Sequence, residues 1–237
     1  MKRVTPEYYN TPEEIKKFEV LSPKCSKIYA PIYSSDIVKI LEPEYKMTTA
    51  CKWYKNSTKH YVDLENGNDK IRIYNSYDRT LSFRMGLVSD GFSVDLGAHR
   101  VVHKGQTAKE LTEEIRKHKT TILNSVETAK ELIQKFKDNK VTPAIAKAIS
   151  DTVFDTHIKK KGFQEYTNYA DTLVELNDIS IYTYITATVN NYLKGEYTVT
   201  VNGKKKNGRE VKSVLSKMNL EIKIMKTLQD EFIEYFL

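Results

Sequence analysis

Between Lys46 and Leu96 apolar and polar residues alternate with a period of two, the pattern of a strand with one buried face. Met47, Thr49, Cys51 and Trp53 alternate with Thr48, Ala50, Lys52 and Tyr54. His60, Val62 and Leu64 alternate with Lys59, Tyr61 and Asp63, and Ile71 and Ile73 with Arg72 and Tyr74. Phe83, Met85 and Leu87 oppose Ser82, Arg84 and Gly86, and Phe92, Val94 and Leu96 close the run. Asn66-Gly67 and Asp90-Gly91 are hairpin turn signals. Short turns between consecutive strands predict an antiparallel meander of about five strands.

On either side the period changes. Thr11-Pro12-Glu13-Glu14 combines a capping box with proline in the first turn, and Ser34 or Ser35 can cap a second short helix ending near Leu41. After Gly105, Thr107 and Glu110 form another capping box. Leu111, Ile115, His118, Ile122, Val126, Ala129, Ile133 and Phe136 then recur every three or four residues, which predicts one long amphipathic helix. His118 is expected as a hydrogen-bonded core residue, and Trp53 as core. Thr142-Pro143 starts a helix to about Phe154. Ile181, Ile185 and Val189 predict another ending near Gly195, followed by a short strand from Tyr197 to Val201. Gly203 to Gly208 reads as a flexible basic turn. Val211, Leu215, Met218, Ile222, Met225, Phe232 and Phe236 form a last stripe, suited to packing or to an oligomer seam. The expected fold is therefore α+β: a meander packed on a long helix, with a helical C-terminal part. The organisation expected is an N-terminal arm (1–45), a core (46–138) and a helical region with a basic turn (139–237).

Composition narrows the class. The 237 residues carry a net charge of +7 with 29% charged residues, ordinary for a globular chain and compatible with an acidic partner. Two cysteines, Cys25 and Cys51, lack metal or redox spacing, which points to a reducing, cytoplasmic setting. Met1 to Asn10 has no apolar leader run, and no stretch is long enough to cross a bilayer. All tyrosines lie at or before Tyr77 or at or after Tyr166, and the Lys/Glu/Thr/Ala-rich stretch between them marks a change from strand-rich to helix-rich structure.

The candidate chemistry is cationic. Lys52, Tyr54, Lys59, Tyr61, Arg72, Tyr74 and Arg84 fall on the polar side of the strands. Cations interleaved with flat rings can neutralise phosphates and stack on bases; the plainer reading is a solvated sheet face. Lys204, Lys205, Lys206 and Arg209 form a second basic set, in a stretch from Val199 to Lys226 with eight cations and two acids. Lys159, Lys160 and Lys161 form a third. Each could follow a phosphate backbone or be a solvated turn. Asn75, Ser76, Asp78, His99 and His103 could supply acid–base or metal chemistry, but turn roles suit their spacing better. Asp78, Asp90 and Asp95 match no nuclease motif. No nucleophile elbow and no zinc-type motif occurs, so a non-enzymatic protein without cofactor or metal is expected.

Tyr74-Asn75-Ser76-Tyr77-Asp78, then Leu81-Ser82-Phe83-Arg84-Met85-Gly86, Ser89-Asp90-Gly91-Phe92 and His103 resemble the phage/plasmid-like family catalogued as domain of unknown function 932. That pattern has an Asn-Ser-His/Tyr-Asp turn, a strand, a Cys-Ser/Gln-Asn-Gly-Leu-like turn and a following His. Here the second turn lacks the Cys and has Asp for Asn. Tyr184 to Tyr192 resembles the family's Asn-Ala-x-Thr-x-Tyr helix. The resemblance implies a phage, prophage or plasmid origin. The function expected is nucleic-acid binding, with single-stranded DNA binding or strand annealing in replication or recombination favoured. The alternative is an interaction module that inhibits a host defence or regulatory protein. Homo-oligomers fit the first reading, and the cytoplasm of the host cell fits both.

Overall fold

The alternating residues build one antiparallel meander. In the computed structural model the described residues are 6–17, 19, 31–52, 58–77, 83–89, 92–96, 107–155, 165–168, 178–211 and 214–232. Six strands run in chain order across the sheet: β1 (Glu7–Tyr9), β2 (Lys46–Lys52), β3 (His60–Asn66), β4 (Asp69–Asn75), β5 (Arg84–Ser89) and β6 (Phe92–Asp95). The expected α+β class holds, with a sixth strand at the N-terminal edge. The β3–β4 hairpin closes with Asn66 opposite Asp69, and Gly67 in the turn adopts the left-handed φ of +58° that favours glycine.

Register sets the faces. Val62 pairs with Ile73, Leu64 with Ile71, Ile73 with Met85 and Ile71 with Leu87, and all are buried on one side. Tyr61 pairs with Tyr74, and Asp63 with Arg72, on the other. Asn66 aside, β3 is buried on both sides, apart from a half-buried Glu65. This differs from the expected single hidden face.

Of the two short N-terminal helices the first forms on its expected cap, whereas the second starts after Tyr33 with no side-chain cap, and Ser34 and Ser35 lie inside it rather than capping it. In α1 (Pro12–Lys16), Thr11 Oγ1 accepts from Glu14 N while Glu14 Oε2 accepts from Thr11 N. Helix α2 (Ser34–Leu41) buries Ile37, Val38, Ile40 and Leu41. The long helix is interrupted. α3 (Ala108–Lys117) ends at His118, whose φ of −93° and ψ of 8° leave the helical region, and α4 (Lys119–Asp138) resumes behind it. His118 is exposed at this break, which corrects its expected core role. The stripe itself is buried as expected, from Leu111 and Ile115 to Ile122, Val126, Ala129, Ile133 and Phe136.

The C-terminal part contains α5 (Pro143–Val153), β7 (Glu165–Asn168), α6 (Ile181–Lys194), β8 (Tyr197–Val201), β9 (Lys204–Asn207) and α7 (Val214–Glu231). Leu220, Ile224, Met225 and Leu228 are buried on α7, which packs on α5 and α6. Of the expected stripe Met225 is buried while Val211, Ile222 and Phe232 are only half-buried, so the core row of α7 is shifted from the expected one. Strands β7, β8 and β9 form a separate antiparallel sheet. The expected turn at 203–208 is therefore corrected: Lys204–Asn207 is an edge strand.

Two compact units result, Met1–Gly91 with Asp95–Ala129, and Phe92–Val94 with Lys130–Leu237. The expected arm groups with the meander, and the boundary falls inside α4. Among the described residues no helix is long and apolar enough to cross a membrane.

Candidate nucleic-acid interface

The proposed sheet platform is dismantled by register and burial. A β-bulge between Met47 and Thr49 shifts the pairing, so Met47 lies opposite Leu64 but Thr49 lies opposite Asp63. One extra residue inverts every later side chain. Lys52 consequently shares the row of His60, while Cys51 shares that of Tyr61. Lys52 is also only 13% exposed and lies 3.7 Å from Glu7 Oε2.

On the opposite face the rings and cations satisfy one another. Tyr61 is 8% exposed and Tyr74 is 1% exposed, too little for a base to stack on either. Arg72 forms a fork with Asp63, Nε to Oδ1 at 2.6 Å and Nη2 to Oδ2 at 2.8 Å. Its guanidinium also lies 4.3 Å from the Tyr61 ring centre. Burial works against the Arg72 charge, but the hydrogen bonds and charge of Asp63 more than offset it and raise its pKa. Burial likewise pushes the Tyr61 phenol up. Lys70 bridges to Glu65 at 2.8 Å. Lys59 and Arg84 are partly exposed beside these rows. The roles expected of Lys52, Tyr61, Arg72 and Tyr74 are thus replaced by ion pairing and packing. Tyr54, Lys159, Lys160 and Lys161 lie outside the described residues, as do Asp78, Asp90, His99 and His103.

The apolar face holds a polar network that periodicity did not reveal. Ser34, His60, Asn75 and Ser76 are at most 1% exposed. His60 Nδ1 lies 2.8 Å from the Thr58 carbonyl, which can only accept, so Nδ1 carries the proton. Nε2 then accepts from Ser34 Oγ at 2.8 Å, and Ser34 Oγ accepts from Asn75 Nδ2 at 3.1 Å. Asn75 Nδ2 also donates to the Ile32 carbonyl at 2.7 Å, while its Oδ1 accepts from Ser76 N. Tyr77 OH accepts from Ser34 N and donates to Glu19, which also accepts from Ser35. Burial lowers the His60 pKa to about 4. The Ser34–His60 pair is sealed from substrate, so its chemistry is structural. It fixes the start of α2 on the sheet. Only the polar residues themselves, Ser34, His60 and Asn75, signalled it in sequence, and the bonds that join Ser34 to His60, Asn75 and Tyr77 span 26 to 43 positions.

The other basic set has the opposite environment. Asn202 and Gly203 take φ of 49° and 72°, both left-handed, and join Val201 to Lys204 in a two-residue hairpin. Lys204, Lys205, Lys206 and Asn207 are all exposed, as is Arg209. Among the described residues no ion pair engages Lys204, Lys205, Lys206 or Arg209.

The base of the hairpin is fixed by close approach. Gly208 N donates to Tyr197 O at 2.7 Å, and a Cβ at Gly208 would sit 2.5 Å from the Tyr197 ring. Tyr197 in turn stacks on Tyr192, with ring centres 5.7 Å apart. Burial and Tyr197 together push the Tyr192 phenol to about 12. Gly195 closes α6 with φ of 77°, and a Cβ there would meet the Arg209 backbone at 2.8 Å. Val211 N then bonds Leu193 O at 2.7 Å. Arg209 therefore leaves the hairpin at a fixed point.

Among the described residues no group of three His, Cys, Asp or Glu side chains gathers as a metal site. No family model, curated protein or solved structure matches the chain.

Proposed function

We propose that this protein binds nucleic acid through its phosphates, with the β8–β9 hairpin as the contact. The observation that carries this reading is the run Lys204-Lys205-Lys206, exposed on an edge strand with no acidic partner among the described residues. An ammonium group already paired with a carboxylate gains little from a phosphate, whereas a solvated one releases counterions from the polymer. Backbone contacts of this kind position a protein without reading sequence. The reading supports a sequence-tolerant binder of phage or plasmid type, acting in replication or recombination. Tyrosine stacking on the meander does not form part of it.

Lysines on an edge strand also discourage edge-to-edge aggregation. An electrophoretic shift separates the two roles. The wild-type protein should retard DNA at low salt and release it at high salt, and K204E/K205E/K206E should fail to shift it. A shift unchanged by the triple substitution would refute the hairpin as the contact. No shift for the wild type at low salt would refute nucleic-acid binding, and leave inhibition of a host protein as the reading to pursue.

A further inference from the structure

We infer that the β8–β9 hairpin takes a double helix, entering a groove as a two-stranded ribbon. The inference rests on the nucleic-acid reading above and assigns the form of the ligand. Binding a single strand needs rings on which unstacked bases can lie, alongside cations for the backbone. No exposed ring occurs among the described side chains of the hairpin. Its tyrosine, Tyr197, is 3% exposed and faces Tyr192. Among the described residues Tyr8 is the large apolar side chain left exposed, at 62%, and it belongs to the other unit.

The distribution of charge also favours a duplex. In a strand, successive side chains point to opposite sides. Lys204 and Lys206 therefore share one side of β9, in rows with Val201 and Val199. Lys205 points to the other, in the row of Thr200, with Asn207 beside Thr198. A single strand lying along the ribbon would meet cations of one side. A groove presents phosphates on both walls, and the major groove, about 12 Å wide, admits a two-stranded β-ribbon. The tip, Asn202-Gly203, is narrow because both residues are left-handed, and both are exposed. Arg209 adds a fourth cation at the base.

Fluorescence anisotropy with a labelled short duplex, beside the same labelled strand alone, tests this. The duplex should bind tighter by roughly tenfold, or about 1.4 kcal/mol. With all four cations engaged, log affinity should fall against log salt with a slope of about −3.6, a loss of about 150-fold from about 50 to 200 mM. K204E/K205E/K206E alters exposed residues, and circular dichroism should show it folded. It should lose the duplex preference. Equal or tighter binding of the single strand would overturn the inference while leaving nucleic-acid binding intact. Binding of neither polymer would overturn the function itself.

Discussion

Two basic regions of this chain look alike in sequence and are opposite in space. Lys52, Arg72 and Lys70 on the meander each sit beside a carboxylate of Glu7, Asp63 or Glu65. Lys204, Lys205 and Lys206 on β9 stand in solvent. The difference lies in what each strand faces. β3 and β4 are inner strands, β3 buried on both sides and β4 with Lys70 and Arg72 only half-buried, so a charge there is held by pairing. β9 is an edge strand, and its polar run costs no burial. Positive charge in a strand pattern is evidence of an interface only where the strand lies at an edge or shows a face to solvent.

The comparison breaks most visibly at Arg72. Arg72→Ala leaves buried Asp63 with Lys70, 3.8 Å away, as its remaining cationic partner, and should cost up to about 3 kcal/mol in urea unfolding. DNA affinity of the folded fraction should not change. Full stability with lost binding would restore the sheet as the interface. Replacing the pair together, Arg72→Met with Asp63→Leu, should recover most of the loss.

Buried titration comes next. His60 has a folded pKa of about 4 against an ordinary value of 6.5, so the unfolded chain binds the extra proton between them. Stability is complete above 6.5 and falls by about 3 kcal/mol as pH drops through 4. Glu221 on α7 has the reverse sign. Burial raises its pKa to about 7, although its Oε2 accepts from Ser93 N at 3.1 Å and Lys217 lies 3.6 Å away. Its contribution is present below 4.5 and is lost as pH rises through 7. Urea midpoints across pH should show the first trend flattened in His60→Gln and the second in Glu221→Gln.

Smaller effects test the scaffold of the hairpin. Gly208→Ala drives a methyl into the Tyr197 ring, a clash of a kind that costs roughly 1–3 kcal/mol. It should weaken DNA binding with the fold retained. Thr142→Ala removes the α5 cap, where Thr142 Oγ1 accepts from Ile145 N, and should cost about 1 kcal/mol without touching binding.

Much of the meander was legible because each strand carries its own alternation and its own turn. The apolar rows of Val62, Ile73 and Leu87 needed no partner to be read. The inversion at Met47/Thr49 was not legible, since a bulge depends on pairing rather than on composition. Strands β1 and β7 are three and four residues long and acquire their order from neighbours. β9 has no apolar alternation at all, yet Asn202-Gly203 was a hairpin signal in plain view. The site divided in the same way. Which residues are cationic is a sequence property. Which cations are already neutralised depends on cross-strand partners such as Asp63 and Arg72.

Lysine footprinting by mass spectrometry, with and without duplex DNA, tests the central claim most directly. On adding DNA, acetylation of Lys204, Lys205 and Lys206 should drop several-fold while Lys52 and Lys70 keep their reactivity. Protection of Lys52, Lys59 or Lys70 with an unchanged hairpin would contradict it.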